Sequence, residues 1–367
     1  MIATLTDFEY KIDALERFLL STESETLLAE RLRRNMVKGD KETAKLVEHV
    51  LQVRTDKKRY IYLIGIVGLY GILEKFIQEI LSGYAQVLGS CVNTYGNLPE
   101  SFRKNHLEGS IDLLKAIREE RYDLGVNETE VIGNLHSCLS NHQNYYINNK
   151  VFGYHRGNIN FSKIEELVSR LAIRNFTSRL FRIARTQLPE LPNGSPIKQR
   201  TSDEEVRSFF SPVDDLVERR NQLAHGDLIT DDIESIELMR SRCGFIRGFG
   251  RAVVTVLQQE WITICIEAEN ILRMGKPRGV YGKNIVCLSP PVRPVSVGDL
   301  IAAKTSDQGE PVRFGKILSL QVNREAVETV EPQQADPFCA RVPFRVKNNH
   351  RFFIVLADGT QILPSDA

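Results

Sequence analysis

The sequence predicts a mainly α protein, a helical bundle followed by a small C-terminal β-barrel of SH3-like or OB-like type. Apolar residues recur at helical spacing through most of residues 6–272. The composition then breaks at Met274–Gly282 (MGKPRGVYG). Beyond the break, short alternating runs rich in β-branched and aromatic residues replace the helical period. These three observations divide the chain into N-terminal amphipathic helices (residues 1–56), a helical domain (57–273) and a β domain (280–367).

Residues 6–53 carry Phe8, Ile12, Leu15, Phe18 and Leu19 among many charges, which predicts an amphipathic helix pair broken near Lys38-Gly39-Asp40. Arg31, Arg33 and Arg34 are either a solvated helix face or a phosphate contact. A strong helix is predicted from about Lys57 to Val87, where Gly65, Gly68 and Gly71 suggest close packing against a neighbour. Glu74 interrupts its apolar face, as a surface charge, a helix-end partner or a group that orients a site residue.

Shorter pieces follow. Residues 97–102 (NLPESF) read as a loop and a helix start, and Phe161–Leu171 as an amphipathic helix with Ser162 as N-cap. Between them, residues 141–160 are rich in Asn, Tyr and His, as a loop with capping amides or as a surface that stacks on single-stranded bases. Residues 188–196 (LPELPNGSP) form a Pro/Gly-rich break. Val206, Phe209, Phe210, Val213, Leu216 and Val217 mark a further helix that Gly226 is placed to end. From Asp231 to Leu272 one long or kinked helix is predicted, with Gly244, Gly248 and Gly250 as disturbances.

The β domain is predicted from VSVGDLIAAKT (295–305), VRFGKILSLQV (312–322), VPFRVKN (342–348) and FFIVLADGTQIL (352–363), with a turn at Asp358-Gly359. Arg341, Arg345, Lys347, His350 and Arg351 lie among Phe344, Phe352 and Phe353. That mix suits RNA, and it also describes a strand with one wet face.

Lys and Arg number 48 against 47 Asp and Glu, a net charge of +1. No global field recruits nucleic acid, so RNA affinity must come from local patches. The six cysteines show no CxxC pair and no Cys/His cluster, so reduced buried thiols and no metal or cofactor are expected. The N-terminus is acidic and amphipathic rather than a signal peptide. The most apolar run, residues 61–73, is too short to span a bilayer. A cytoplasmic protein with no membrane partner is the expectation.

The chemistry concentrates in residues 219–227 (RRNQLAHGD), where Arg220 and His225 enclose four residues. Arg345 and His350 repeat that spacing in the β-rich segment, so spacing alone decides nothing. Context separates the pairs, because the first sits at the end of an apolar-periodic helix. On a helix at 3.6 residues per turn, Arg220 and His225 are displaced by roughly 140°. They converge only if the helix loosens near His225. Otherwise His225 is a dipole-stabilised C-terminal residue and Arg220 a surface charge.

The string VDDLVERRNQLAHGD (213–227) resembles the signature helix of HEPN domains, in particular the RiboL-PSP-HEPN branch. GIVGLYGILEKFIQEI (65–80), NLPESF and VFGYHRGNINFSKIEELVSRLAI (151–173) occur in the order of that branch, so the resemblance covers roughly residues 57–270. It implies a HEPN-type helical bundle and a metal-independent endoribonuclease acting through the ribose 2′-hydroxyl. By the same resemblance His225 is general base or acid, Arg220 holds the scissile phosphate, and Asn221 positions the phosphate or the imidazole. Imidazole chemistry and the guanidinium fork suit these roles. Arg219 is a second cation or an ion-pair partner.

The resemblance further implies a homodimer whose two motifs face each other. The RNA substrate (a tRNA among the candidates) and an antitoxin or defence-system protein are the implied partners, in a toxin or phage-defence setting. Asp227 stands where members silenced by a nucleotidyltransferase carry Tyr, so control by tyrosine modification there is not implied. The alternative is a non-catalytic RNA-binding or dimerisation scaffold subunit.

Overall fold

A computed structural model of the protein describes residues 1–35, 41–119, 125–140, 145–187, 202–225, 233–305, 311–332 and 336–356. The predicted breaks at 38–40 and 188–196, together with Gly226 and the Asp358-Gly359 turn, lie outside the described residues.

Three long helices form the frame: α1 (Ile2–Asn35), α3 (Arg54–Cys91) and α10 (Ile236–Glu267). The centre is α3, which buries Ile66, Leu69, Tyr70, Leu73, Phe76, Ile77, Ile80 and Tyr84 at spacings of three and four. By length and composition it could cross a membrane, and half of its most apolar window is buried inside this fold. Phe8 of α1 stacks on Phe76 with ring centroids 4.0 Å apart. Burying a side chain of that size contributes about 2–3 kcal/mol. The Phe8 ring reaches α10 because Gly250 has no side chain, since a Cβ there would lie 2.4 Å from Phe8 Cε1. Ion pairs from Arg247 to Asp13 and Glu16 reinforce the α1–α10 contact.

The predicted helix 57–87 is thus longer at both ends. Its glycines meet the expectation of close packing only in part. Gly65 packs against Met239, whereas Gly71 is exposed with nothing within 4 Å of a built Cβ. Helix α2 (Lys41–Gln52) completes the N-terminal pair.

Shorter helices pack around this frame. A 3₁₀ turn at Tyr95–Asn97 leads into α4 (Glu100–Arg118), then α5 (Glu128–Leu139), the single turn α6 (Lys150–Gly153), α7 (Phe161–Arg170) and α8 (Phe176–Gln187). The N-cap of α7 is Asn160, not Ser162, because the Asn160 side chain accepts the Lys163 N–H at 2.8 Å. A reciprocal capping box between Ser202 and Glu205 starts α9 (Asp203–Ala224). Phe210 of α9 stacks on Phe161 at 4.4 Å and anchors α9 to the core.

The glycines of α10 leave it one continuous helix. It ends five residues earlier than predicted, in a Schellman-type turn at Glu269. There φ is 58°, Glu269 N–H donates to Ile266 O and Asn270 N–H to Cys265 O. The left-handed position holds Glu rather than Gly, so the sequence carries no stop signal there.

The C-terminal part has eleven short strands among the described residues, β1 (Ile271–Gly275), β2 (Gly279–Tyr281), β3 (Ile285–Leu288), β4 (Val295–Ser296), β5 (Leu300–Lys304), β6 (Arg313–Lys316), β7 (Ser319–Val322), β8 (Glu325–Val327), β9 (Thr329–Val330), β10 (Phe338–Arg341) and β11 (Arg351–Val355). They form antiparallel sheets ordered β1-β11-β5-β6, β2-β3-β10-β7-β8 and β4-β9, with no closed barrel. The reason lies in the first sheet, which is buried on both faces. Leu300, Ala302, Phe353 and Val355 join the helical core, while Ile301, Ala303, Phe352 and Ile354 face the β core. A barrel would leave its outer face to solvent, whereas this sheet is a layer between two cores. The predicted strand at 342–348 is irregular, and β10 lies just before it.

The Cys91 and Cys265 sulfurs are adjacent, as are those of Cys287 and Cys339. Cys287 and Cys339 are direct partners across β3 and β10, a proximity that their spacing of 52 residues conceals. Cys138 and Cys243 are free and buried.

Candidate functional site

Arg220 and Asn221 occupy the last turn of α9, which lies against α3. Their neighbours come from two distant segments. The Arg220 guanidinium carbon is 5.0 Å from the centroid of the Tyr70 ring on α3. Its Nη1 donates to Asn158 Oδ1 at 3.3 Å and to Asn221 Oδ1 at 3.2 Å. Asn158 Nδ2 donates to Asn221 Oδ1 at 2.9 Å. One cation, two amides and one aromatic face therefore form a single contact set.

The strip carrying Asn158 is held from several sides. Tyr70 O–H donates to Glu74 Oε1 at 2.9 Å, and the buried Ile159 N–H donates to Tyr70 Oη at 3.1 Å. His155 has only 3 % of its side chain exposed; its Nε2 lies 3.4 Å from Glu74 Oε1 and its Nδ1 3.2 Å from Gly153 O. Arg170 Nη1 donates to Tyr154 O, and Phe161 N–H donates to Asp214 Oδ1 of α9. The hydrogen bond from His155, together with that from Tyr70, holds the Glu74 carboxyl below its ordinary value against the opposing effect of burial. Burial pushes the Tyr70 phenol up to about 12. Tyr70 is therefore a neutral donor at physiological pH.

His225 stands apart. It caps α9 with φ −86° and ψ −1°, still right-handed, and its ring is exposed. The helix does not loosen before it, and the hydrogen bonds of Arg220 go to Asn158 and Asn221 rather than to His225. The structure joins Arg220 to Asn221 and leaves His225 on an open end of the same protomer.

Arg219 belongs to a different network. Its guanidinium pairs with Asp215 and Glu234 and donates to Tyr62 Oη at 2.8 Å, while Arg242 pairs with the same two carboxylates. Because Glu234 follows the segment after His225, this cluster ties the chain's return to the end of α9. The second cation in the motif is a structural clamp.

The repeat of the spacing in the β part has no comparable setting. His350 is 1 % exposed inside the β unit and Arg345 is exposed. Phe352 and Phe353 are buried as well, so they offer no face to a base. Among the described residues, no group of three His, Cys, Asp or Glu side chains is arranged to hold a metal ion.

Glu74 and the Asn-rich stretch stand out in the sequence, but Tyr70 and Asn158 do not as neighbours of Arg220, nor His155 as the partner of Glu74. The available signal was the run His155-Arg156-Gly157-Asn158, three polar side chains around a glycine shortly before a capped helix. Polar residues crowded there have no helical face to occupy.

No curated protein and no solved structure matches the chain. The RiboL-PSP-HEPN family model matches residues 40–259, which include α3, the 153–161 strip and all of α9. With more than half its length matched, the chain belongs to the RiboL-PSP-HEPN family.

Proposed function

We propose that the protein is a metal-independent endoribonuclease that cleaves RNA through the ribose 2′-hydroxyl at a site completed by a second copy of the chain, as a toxin or phage-defence effector. Membership of a HEPN family supports a ribonuclease-type or RNA-related function. The observation on which the finer reading rests is a constrained Arg220 in the last turn of α9, with His225 apart from it and exposed at the end of the same helix.

In this reading Arg220 binds a non-bridging phosphate oxygen and stabilises the charge that develops there. His225 takes the proton from the 2′-oxygen, which then bonds to phosphorus. The bond from phosphorus to the 5′-oxygen breaks, and that oxygen accepts a proton from His225 of the second copy. A 2′,3′-cyclic phosphate and a 5′-hydroxyl result. One protomer leaves His225 open to solvent, and a facing copy would supply the missing wall. Tyr60, Ile64 and Val67 support this, since they expose 66 %, 46 % and 41 % along one face of α3.

The test is incubation with tRNA and total RNA in EDTA, with Arg220→Ala and His225→Ala in parallel and oligomeric state measured by light scattering. Cleavage by the wild type alone is expected. Equal cleavage by all three proteins would show that the activity comes from elsewhere. RNA binding without cleavage, retained in His225→Ala, would instead indicate a scaffold subunit.

A further inference from the structure

We infer that Asn158, outside the Arg220–His225 motif, is a positioning residue that orients the Arg220 guanidinium for a phosphate; this rests on the ribonucleolytic reading and deepens it. Its amide orientation is determined by its partners. Asn221 Oδ1 receives the Asn158 amide N–H at 2.9 Å, which leaves Asn158 Oδ1 to accept from Arg220 Nη1 at 3.3 Å. A flipped Asn158 amide would set donor against donor at Arg220 and acceptor against acceptor at Asn221. Arg220 Nη1 is thereby shared between two amide oxygens.

The consequence lies on the other side of the guanidinium. Nε and Nη2 form the edge that grips a carboxylate or phosphate with two parallel hydrogen bonds. Among the described residues no hydrogen bond engages that edge of Arg220. The ring of Tyr70 supports the guanidinium plane, and the two amides fix its rotation within that plane. Asn158 is in turn held by its neighbour, because the Ile159 N–H is bound by Tyr70 Oη. A guanidinium fixed on one edge and without a hydrogen bond on the other loses less freedom when it binds a phosphate.

The probe is a labelled single-stranded 2′-O-methyl RNA of mixed sequence, which cannot be cleaved through the 2′-position, titrated into the full-length protein. Asn158→Ala is expected to weaken binding about tenfold, the loss of a hydrogen bond to a charged group. In an Arg220→Ala background the same change should have no further effect, because Asn158 acts through Arg220. Asn158→Asp, nearly isosteric, keeps the acceptor for Arg220 but sets a carboxylate against Asn221 Oδ1 and competes with the phosphate. With cleavable RNA it should raise KM more than it lowers kcat.

Unchanged binding by Asn158→Ala and Asn158→Asp would overturn the inference, and so would a full additional loss in the Arg220→Ala background. A protein that binds the probe with this pattern but cuts no RNA would overturn the ribonuclease reading and leave the positioning role standing. Cleavage by the wild type with an inert Asn158 would do the reverse.

Discussion

The guanidinium carbon of Arg220 lies 5.0 Å above the ring of Tyr70, whose hydroxyl bridges the Ile159 N–H and the Glu74 carboxylate. The ring and the hydroxyl therefore do separable jobs. Tyr70→Phe keeps the face beneath Arg220 but leaves a buried backbone N–H without its acceptor, at a cost of about 1–3 kcal/mol. Tyr70→Ala removes the ring as well and costs about 3–5 kcal/mol. Urea denaturation should rank the two in that order. RNA affinity should fall less in Tyr70→Phe, which releases only the strip carrying Asn158, than in Tyr70→Ala, which also removes the ring beneath Arg220. Equal affinity in both variants would mean that the ring does not support Arg220.

His106 makes stability depend on pH in a definite window. Its Nε2 accepts the Asn148 N–H at 2.9 Å and its Nδ1 faces Tyr95 Oη at 2.9 Å, so the neutral ring with a proton on Nδ1 satisfies both contacts. Burial lowers its pKa from 6.5 to about 4. Between those values the unfolded chain binds the proton and the folded one does not. The contribution is therefore complete above pH 6.5 and is lost as pH falls toward 4, by about 3 kcal/mol. Denaturation midpoints should decline across that window in the wild type. In His106→Gln, less stable at neutral pH, the decline should be shallower.

Two glycines test backbone approach against side-chain approach. A Cβ on Gly153 would lie 2.2 Å from Gln78 O, a backbone atom of α3 that cannot move without disturbing the helix. Gly153→Ala should cost about 3 kcal/mol or more and pull His155 away from Glu74. A Cβ on Gly65 would meet the Met239 methyl group, the far end of a flexible side chain. Gly65→Ala should stay within about 1 kcal/mol of wild type, helped by its better helix propensity. Comparable losses in thermal melts of the two variants would contradict the distinction.

These residues show where the sequence is readable. Helical period placed α3, α7 and α9, because one face of each is buried against a continuous core and the spacing records it. The end of α10 escaped, because Glu269 adopts a left-handed conformation that usually marks itself with Gly. The barrel expectation failed because burial on both faces of a sheet erases the alternation that would separate a barrel strand from a buried layer. Within the site, Arg220 and Asn221 were legible from a local motif. Asn158 lies 62 residues from Arg220, and no local pattern encodes a contact made through tertiary packing.

Adjacent arginines in the motif should separate by phenotype. Arg219 is held by Asp215, Glu234 and Tyr62 in a cluster shared with Arg242. Removing it leaves two partly buried carboxylates facing Arg242 alone, and the loss of one member of such a cluster costs about 3 kcal/mol. Arg220 touches an aromatic face and two neutral amides, and Glu74, whose ionised form it also favours, keeps its bonds from His155 and Tyr70, so Arg220→Ala should shift stability by less than about 1 kcal/mol. Affinity for RNA should show the opposite order, with Arg220→Ala losing about tenfold or more and Arg219→Ala little once it is folded. Denaturation and RNA titration of both variants measure the two scales independently. If Arg219→Ala proves stable and defective in binding, the phosphate contact belongs to Arg219, and the unbonded edge of Arg220 has another purpose.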